Sequence, residues 1–186
     1  MIRKKLIFDS IIDLYEEFEI STFGFDLRDI CEKMEVNLIP YSAFDDKKTL
    51  LLKRSEDGFN FFNPYNNHIE IYYNDEQIPK DRIKFTIPHE LGHISLNHDY
   101  LSKDTNVNKE SEANVFANEF YVPQAFILYY KMFTTSELIS NFGITYEYAR
   151  VLLDKLSQRP NKNLTSQEEQ LIEIFEKNKT NKKSGR

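Results

Sequence analysis

The stretch PHELGHISLNH, residues 88–98, places His89 and His93 four positions apart, with Glu90 directly after the first histidine. Because each residue of an α-helix advances by about 100°, the two histidines would lie on one face, one turn apart. That spacing lets two imidazoles reach one metal ion, so the stretch predicts a helix that carries a metal site. Glu90 would lie about 100° round the helix from His89, which suits a base beside the site better than a third ligand.

The apolar residues of this helix argue against two ordinary structural histidines. Ile87, Leu91 and Ile94 occupy the sector of the helical wheel roughly opposite the histidine pair. The histidines therefore face away from the helix's own packing surface, and a third protein ligand is required. Pro88 is the one unfavourable feature, because it cannot donate a backbone hydrogen bond inside a helix and its kink would misalign His89.

The third ligand has to come from beyond the motif. The metzincin continuation needs glycine at position 96 and histidine at position 99, but the chain has Leu96 and Asp99, which excludes that class. His98 lies about 140° from His93 on the wheel, so it could reach the ion only if the helix ended first. The downstream acidic residues are therefore the better candidates.

The segment ESEAN, residues 110–114, offers two carboxylates on a second predicted helix. Glu110 and Asn114 are one turn apart on one face and border the apolar stripe, so that one could bind the ion while the other holds a ligand in place. Glu112 borders the same stripe from its other side. Periodicity alone leaves the choice between Glu110 and Glu112 open.

Composition restricts the classes of partner and compartment. The 186 residues include 40% hydrophobic residues, and 24 basic against 30 acidic residues give a net charge of −6, so nucleic acid is not the expected partner. Cys31 is the only cysteine, which excludes an intramolecular disulfide and favours a reducing compartment. Asp9 and Asp13 interrupt the N-terminal apolar run, and nothing approaches a membrane span, so the prediction is a cytoplasmic protein without membrane association.

Short β-branched and aromatic runs between residues 36 and 73 predict three or four strands. These runs are VNLIPYS, TLLLKRS, FNFF and HIEIYYN, with turn-forming residues between them. Helical spacing predicts two N-terminal helices, the motif helix with Asp81 as its N-cap, and several helices from residue 110 onward. The fold class is therefore α+β, a short and mostly antiparallel sheet with flanking helices.

Residues 134–160 have the outline of a helix-turn-helix, with Gly143 at the turn. The second helix mixes Glu147 and Asp154 with Arg150 and Lys155, so it lacks a basic face for reading DNA. A structural or substrate-docking role is favoured, and DNA binding is not expected.

Two linked motifs resemble the ImmA/IrrE family of metallopeptidases. HELGH is followed by ESEANVFANEFYVP, which is similar to the family's pattern E-x-x-A-N-x-F-A and its apolar run ending in proline. The likeness covers about residues 25–156 and is most specific over 85–123. It implies that His89, His93 and Glu110 bind Zn²⁺, with Asn114 as the residue that supports Glu110. Glu112 is kept as the fallback ligand.

The resemblance also implies domain organisation and function. It implies a zincin-like metallopeptidase core over residues 1–133 and a helical C-terminal region over 134–177, and the remaining residues, 178–186, are expected to form a disordered basic tail. Glu90 would be the catalytic base of a zinc-dependent endopeptidase that cleaves a helix-turn-helix repressor of a phage, mobile element or stress response. An extended substrate would pair with the edge of the strand HIEIYYND.

Two other functions stay open from sequence alone. The chain could be a non-catalytic zinc-fold binding module that contacts a repressor or DNA through its C-terminal helices, or it could act with a genetically adjacent regulator. Glu90 favours the enzyme, because a purely structural site does not need that carboxylate. The oligomeric state and the choice of zinc over manganese or iron are not fixed by these residues.

Overall fold

The computed structural model describes residues 2–44, 46–76, 79, 82–98 and 107–184, and these form two compact units. Ile2 and the described residues of 26–117 make the first unit, and those of 3–25 and 118–186 make the second. This division differs from the boundary predicted at residue 133. The difference arises because the first helix packs with the last one, a long-range pairing that local patterns do not reveal.

The described elements follow one another in chain order. They are α1 (Lys4–Glu17), α2 (Leu27–Lys33), β1 (Val36–Pro40), a 3₁₀ turn (Tyr41–Ala43), α3 (Lys48–Arg54), β2 (Gly58–Asn63), β3 (His68–Tyr73), α4 (Ile83–Ser95), α5 (Val107–Tyr121), α6 (Gln124–Tyr129), α7 (Thr135–Phe142), α8 (Tyr146–Ser157) and α9 (Ser166–Ser184). The predicted α+β class is confirmed. None of the helices that the structure describes is both long and apolar enough to cross a membrane.

The sheet of the first unit has the strand order β1, β3, β2. β2 and β3 form an antiparallel hairpin that pairs Gly58 with Tyr73, whereas β1 runs parallel to β3 and pairs Val36 with Ile69. The sheet is therefore mixed, not mostly antiparallel. The connection through α3 leads from β1 to the edge strand β2, and the hairpin then places β3 between them, parallel to β1. β3 is the central strand, so the prediction that HIEIYYND offers a free edge is wrong. The edge beside the candidate site belongs to β2.

The run TLLLKRS forms helix α3 and not a strand, which corrects the sequence prediction. Between Thr49 and Ser55 the run contains only leucine, lysine and arginine, which are good helix formers, and it has no β-branched residue there to favour a strand. Its apolar residues are also not buried, as the 64% exposure of Leu50 shows. No sheet face therefore requires an extended backbone here.

Helix α4 carries the histidine motif and packs on β2, β3 and α2. Ile87 and Leu91 are 3% and 0% exposed, which is the apolar face that the sequence predicted. Pro88 lies inside the helix and does not end it. The predicted N-cap, Asp81, is outside the described residues.

Gly92 of α4 provides a close approach to α5. A Cβ atom at this position would come within 3.1 Å of the ring and the Cβ of Phe116, which is fully buried. The absent side chain therefore sets the distance between the two helices that carry the candidate site.

The second unit is a helical bundle with an aromatic core around Tyr15, Phe126 and Phe175. Helix α9 packs against α1 and α6 and continues to Ser184. Residues 178–184 are thus helical where the sequence predicted a disordered tail, because Asn178 is buried and its side chain donates to the backbone oxygens of Tyr15 and Ile20 at 2.8 and 3.2 Å.

Helices α7 and α8 pack together with a tight turn at Gly143, as the sequence predicted. Gly143 ends α7 in the left-handed conformation at φ 62°, which glycine adopts without a steric cost. A capping box of Thr134 and Glu137 begins α7, and the side chain of Thr145 caps α8.

Candidate metal and catalytic site

The structure brings His89 and His93 of α4 together with Glu110 of α5. The Nε2 atoms of the two histidines are 3.1 Å apart, and they lie 3.4 and 3.5 Å from the two carboxylate oxygens of Glu110. Ligand atoms that surround one tetrahedral zinc ion are about 3.3 to 3.6 Å from one another. Two imidazole nitrogens and one carboxylate group close to this spacing therefore suit such an ion.

Asn114 contacts His89 from the next turn of α5. Its side-chain oxygen is 3.0 Å from Nδ1 of His89, so Nδ1–H donates and Nε2 is left free to face Glu110. Sequence reasoning assigned Asn114 to the support of Glu110, which shares its helix face. The contact that the structure shows is with the histidine, one helix away.

Of the other two residues considered as ligands, His98 contacts His93 and Glu112 contacts His98. His98 is 3% exposed, and its Nδ1 is 3.0 Å from Nδ1 of His93. Glu112 is 2% exposed and lies 3.2 Å from Nε2 of His98. Among the described residues, the group that can hold a metal ion consists of His89, His93 and Glu110 alone.

Glu90 lies beside this group and is held by β2. It is 7% exposed, and one of its carboxylate oxygens accepts hydrogen bonds from the backbone N–H and the side-chain amide of Asn60, at 3.0 and 2.6 Å. Burial raises the pKa of Glu90, whereas the charge of His89 and the two hydrogen bonds from Asn60 oppose that rise. A carboxyl group with a raised pKa is well suited to take up and return a proton.

Sequence reasoning missed Asn60. The only available signal was a polar residue in the middle of the aromatic run FNFF, a position where asparagine is a poor strand former. Its contact with Glu90 spans 30 positions, which no local pattern predicts.

His93 is kept neutral by its surroundings. Its pKa is lowered to about 3, chiefly by burial and further by the charges of His89, His98 and Lys109. Neutral imidazole is the form that binds a metal ion, because the ligating nitrogen must keep its lone pair.

The three candidate ligands and Glu90 line a cleft of about 570 Å³ in the first unit. One wall consists of Gly58, Phe59 and Asn60 of β2, and the remaining wall comes from α4, α5 and the end of α3. Among the described residues β2 pairs only with β3, and on its other side the backbone N–H of Asn60 donates to Glu90, which also lines the cleft.

Comparison with known families agrees with this arrangement. The sequence profile of the M78 peptidases, described as the IrrE N-terminal-like domain, matches residues 25–154, a range that includes α4, α5 and β2. No curated protein and no solved structure matches the chain. The match covers most of the sequence and confirms the resemblance inferred from its two motifs. This chain belongs to the Peptidase_M78 family, a family of metallopeptidases.

Proposed function

We propose that the protein is a zinc-dependent endopeptidase with a narrow substrate range. The observation that carries this proposal is the position of Glu90, a buried carboxylate held beside the group His89, His93 and Glu110 at the floor of an open cleft. The same chemistry is typical of the metallopeptidase family to which the chain belongs.

His89, His93 and Glu110 would hold the ion, since two nitrogen ligands and one oxygen ligand suit zinc and leave one of four positions open. Bound zinc would supply Lewis-acid activation of water and of the scissile carbonyl. The donor atoms of the three side chains already face one another, within 4.8 Å. Little rearrangement of α4 and α5 is needed for binding.

Glu90 would accept the proton of the attacking water and return it to the leaving amine. This role needs a carboxylate that is fixed in position and is neither a metal ligand nor neutralised by an ion pair. Asn60 meets the first requirement with two hydrogen bonds to one oxygen, which leaves the other oxygen of Glu90 without a bond from Asn60.

The substrate would bind as an extended segment along β2. The unpaired side of β2 borders the cleft, and Phe61 and Phe62 on this strand are 42% and 41% exposed. A peptide that adds to such an edge gains backbone hydrogen bonds and presents alternate side chains to the walls. The resemblance to ImmA/IrrE proteins supports a helix-turn-helix repressor of a phage, mobile element or stress response as the substrate, in the cytoplasm.

Elemental analysis of purified protein, together with a cleavage assay, tests this proposal. Wild type is expected to carry one zinc ion per chain, and His93→Ala and Glu110→Gln are expected to lose it. Glu90→Gln should retain zinc and fail to cleave helix-turn-helix repressors encoded beside its gene. Wild type without metal would overturn the peptidase and leave a non-catalytic binding module, and equal cleavage by Glu90→Gln would overturn the role of Glu90.

A further inference from the structure

The end of α4 turns the chain back towards His93. Asn97 adopts the left-handed conformation at φ 50°, and its N–H donates to the carbonyl of Ile94 at 3.1 Å. The N–H of His98 donates to the carbonyl of His93 at 2.9 Å. These two bonds define a Schellman motif, which returns the residue after the left-handed position to the last turn of the helix. His98 thereby lies against His93, which a continuous helix would prevent.

The hydrogen bonds of these side chains assign every imidazole proton in the group. Nε2 of His93 faces Glu110, so its Nδ1 carries the proton if Nε2 is to bind a metal. Nδ1–H of His93 then donates to Nδ1 of His98 at 3.0 Å. His98 must therefore carry its own proton on Nε2, where it donates to Glu112 at 3.2 Å.

The donor-to-acceptor direction of this series of hydrogen bonds is fixed at Glu112, where the series ends. An ionised carboxylate only accepts hydrogen bonds, so Glu112 in its ionised form selects the tautomer of His98, and His98 in turn selects the tautomer of His93. Both groups are nearly inaccessible to water, at 3% and 2% exposure. Water therefore cannot take the place of either partner, and the orientation is a property of the protein.

The two candidate zinc-binding histidines are supported in different ways. His89 donates from Nδ1 to the neutral amide oxygen of Asn114, and His93 donates from Nδ1 to a second histidine backed by a carboxylate. In both cases Nε2 is the nitrogen that faces the other ligands. The common result shows that the contacts on Nδ1 select the ligating nitrogen.

We propose that His98 and Glu112 are positioning residues of the zinc site: they hold His93 in the Nδ1–H tautomer and fix its ring so that Nε2 faces the ion. This inference rests on the proposed function and deepens it. Glu112, which the sequence left as an alternative ligand, acts on the zinc site through the imidazoles of His98 and His93. His98 acts on it through the imidazole of His93 alone.

Zinc affinity provides the first test. Competition with a chromogenic zinc chelator should show a dissociation constant raised by about 10- to 100-fold for His98→Phe and for Glu112→Leu. The double variant should lose little more than either single variant, because both residues act in one chain. Glu112→Gln keeps an oxygen acceptor and should therefore retain most of the zinc affinity that Glu112→Leu loses. Ser95→Ala is the matched control at the same helix end, since the Ser95 hydroxyl has no hydrogen-bond partner among the described residues.

Two spectroscopic readouts separate positioning from a loss of folding. The visible absorption of the cobalt-substituted protein should change in His98→Phe and stay unchanged in Ser95→Ala. In zinc-loaded wild type, imidazole ¹⁵N shifts should show a protonated Nδ1 on His93 and a protonated Nε2 on His98, a measurement that needs no variant.

The outcomes distinguish this inference from the proposed function. If wild type binds zinc but the affinity and cobalt spectrum of His98→Phe match those of wild type, the positioning role is overturned and the peptidase stands. The opposite tautomer on His98 would also overturn it. Wild type without any zinc would overturn both.

Discussion

Asn60 donates two hydrogen bonds to the same carboxylate oxygen of Glu90, one from its backbone N–H at 3.0 Å and one from its side-chain amide at 2.6 Å. This relationship ties the candidate catalytic base to the strand on which a substrate would lie. The backbone bond is independent of the residue at position 60, whereas the side-chain bond requires an amide donor. The side-chain contribution can therefore be removed separately.

Asn60→Ala is expected to slow peptide cleavage by about 10- to 100-fold, since a hydrogen bond to a charged group contributes about 1.5 to 3 kcal/mol. The turnover number should fall while zinc content stays at the wild-type level, because the hydrogen bonds given for Asn60 among the described residues go to Glu90 and not to the three candidate ligands. Steady-state kinetics on a cleaved repressor measures this change. Asn66→Ala removes an asparagine from the same hairpin and should leave turnover unchanged; a loss of zinc in Asn60→Ala would contradict the assignment.

Gly92→Ala should destabilise the first unit by about 1 to 3 kcal/mol, the usual cost of overpacking a core. The new Cβ would lie 3.1 Å from Phe116, which is fully buried. Urea unfolding measures the change, and zinc affinity should fall with it because α4 and α5 would separate.

The double variant Gly92→Ala with Phe116→Leu tests the cause. A smaller residue at position 116 should recover part of the stability that Gly92→Ala loses, relative to Phe116→Leu alone. Alanine is intrinsically a better helix former than glycine by about 1 kcal/mol. A more stable Gly92→Ala protein would therefore mean that the close approach to Phe116 is not limiting.

Asn97→Val should weaken zinc binding without touching any side chain of the site. The left-handed backbone at this position, φ 50°, is strained for a β-branched residue, so the Schellman motif would open and His98 would leave His93. Chelator competition measures the loss. Asn97→Gly is the matched control, since glycine adopts the same backbone readily, and equal affinity of the two variants would contradict the role of this turn.

Local spacing predicts part of this site from sequence. His89 and His93 share one helix, so their common face follows from helical geometry alone. The choice between Glu110 and Glu112 depends on how α5 packs against α4, and both lie beside the same apolar stripe. The family resemblance favoured Glu110, which is the residue that the structure brings to the two histidines.

The fold, too, can be predicted from sequence only where it depends on local spacing. Periodicity predicts the helices and the strands β1, β2 and β3, but strand order depends on long-range pairing, so the central position of β3 was not accessible. The helix at Lys48–Arg54 was mistaken for a strand because a short apolar run has no distinctive period. Asn60 was missed because its role arises only when β2 meets α4.

The ion pair of Arg159 and Glu168 gives the second unit a stability that depends on pH. Both bonds of this bidentate pair are 2.7 Å long, and Glu168 also accepts from the backbone and side chain of Thr165. Burial raises the pKa of Glu168, but the hydrogen bonds from Arg159 and Thr165 and the charge of Arg159 outweigh it, so the pKa lies below its usual 4.5. A lowered pKa means that the stabilisation is present above the unfolded value and is lost as pH falls through the folded one.

Arg159→Gln should therefore lower the free energy of unfolding by about 3 to 5 kcal/mol at pH 7, since it leaves a buried carboxylate without its partner. The difference between wild type and variant should shrink as pH falls below about 4.5, where the unfolded chain takes up the proton first. Urea unfolding between pH 3 and 7 measures both effects. Lys5→Gln is the control, because Lys5 is 77% exposed and pairs with Asp9 at the surface. This variant should change the free energy of unfolding by less than about 0.5 kcal/mol at any pH. A pH-independent cost for Arg159→Gln would show that the arginine acts through packing and not through its charge.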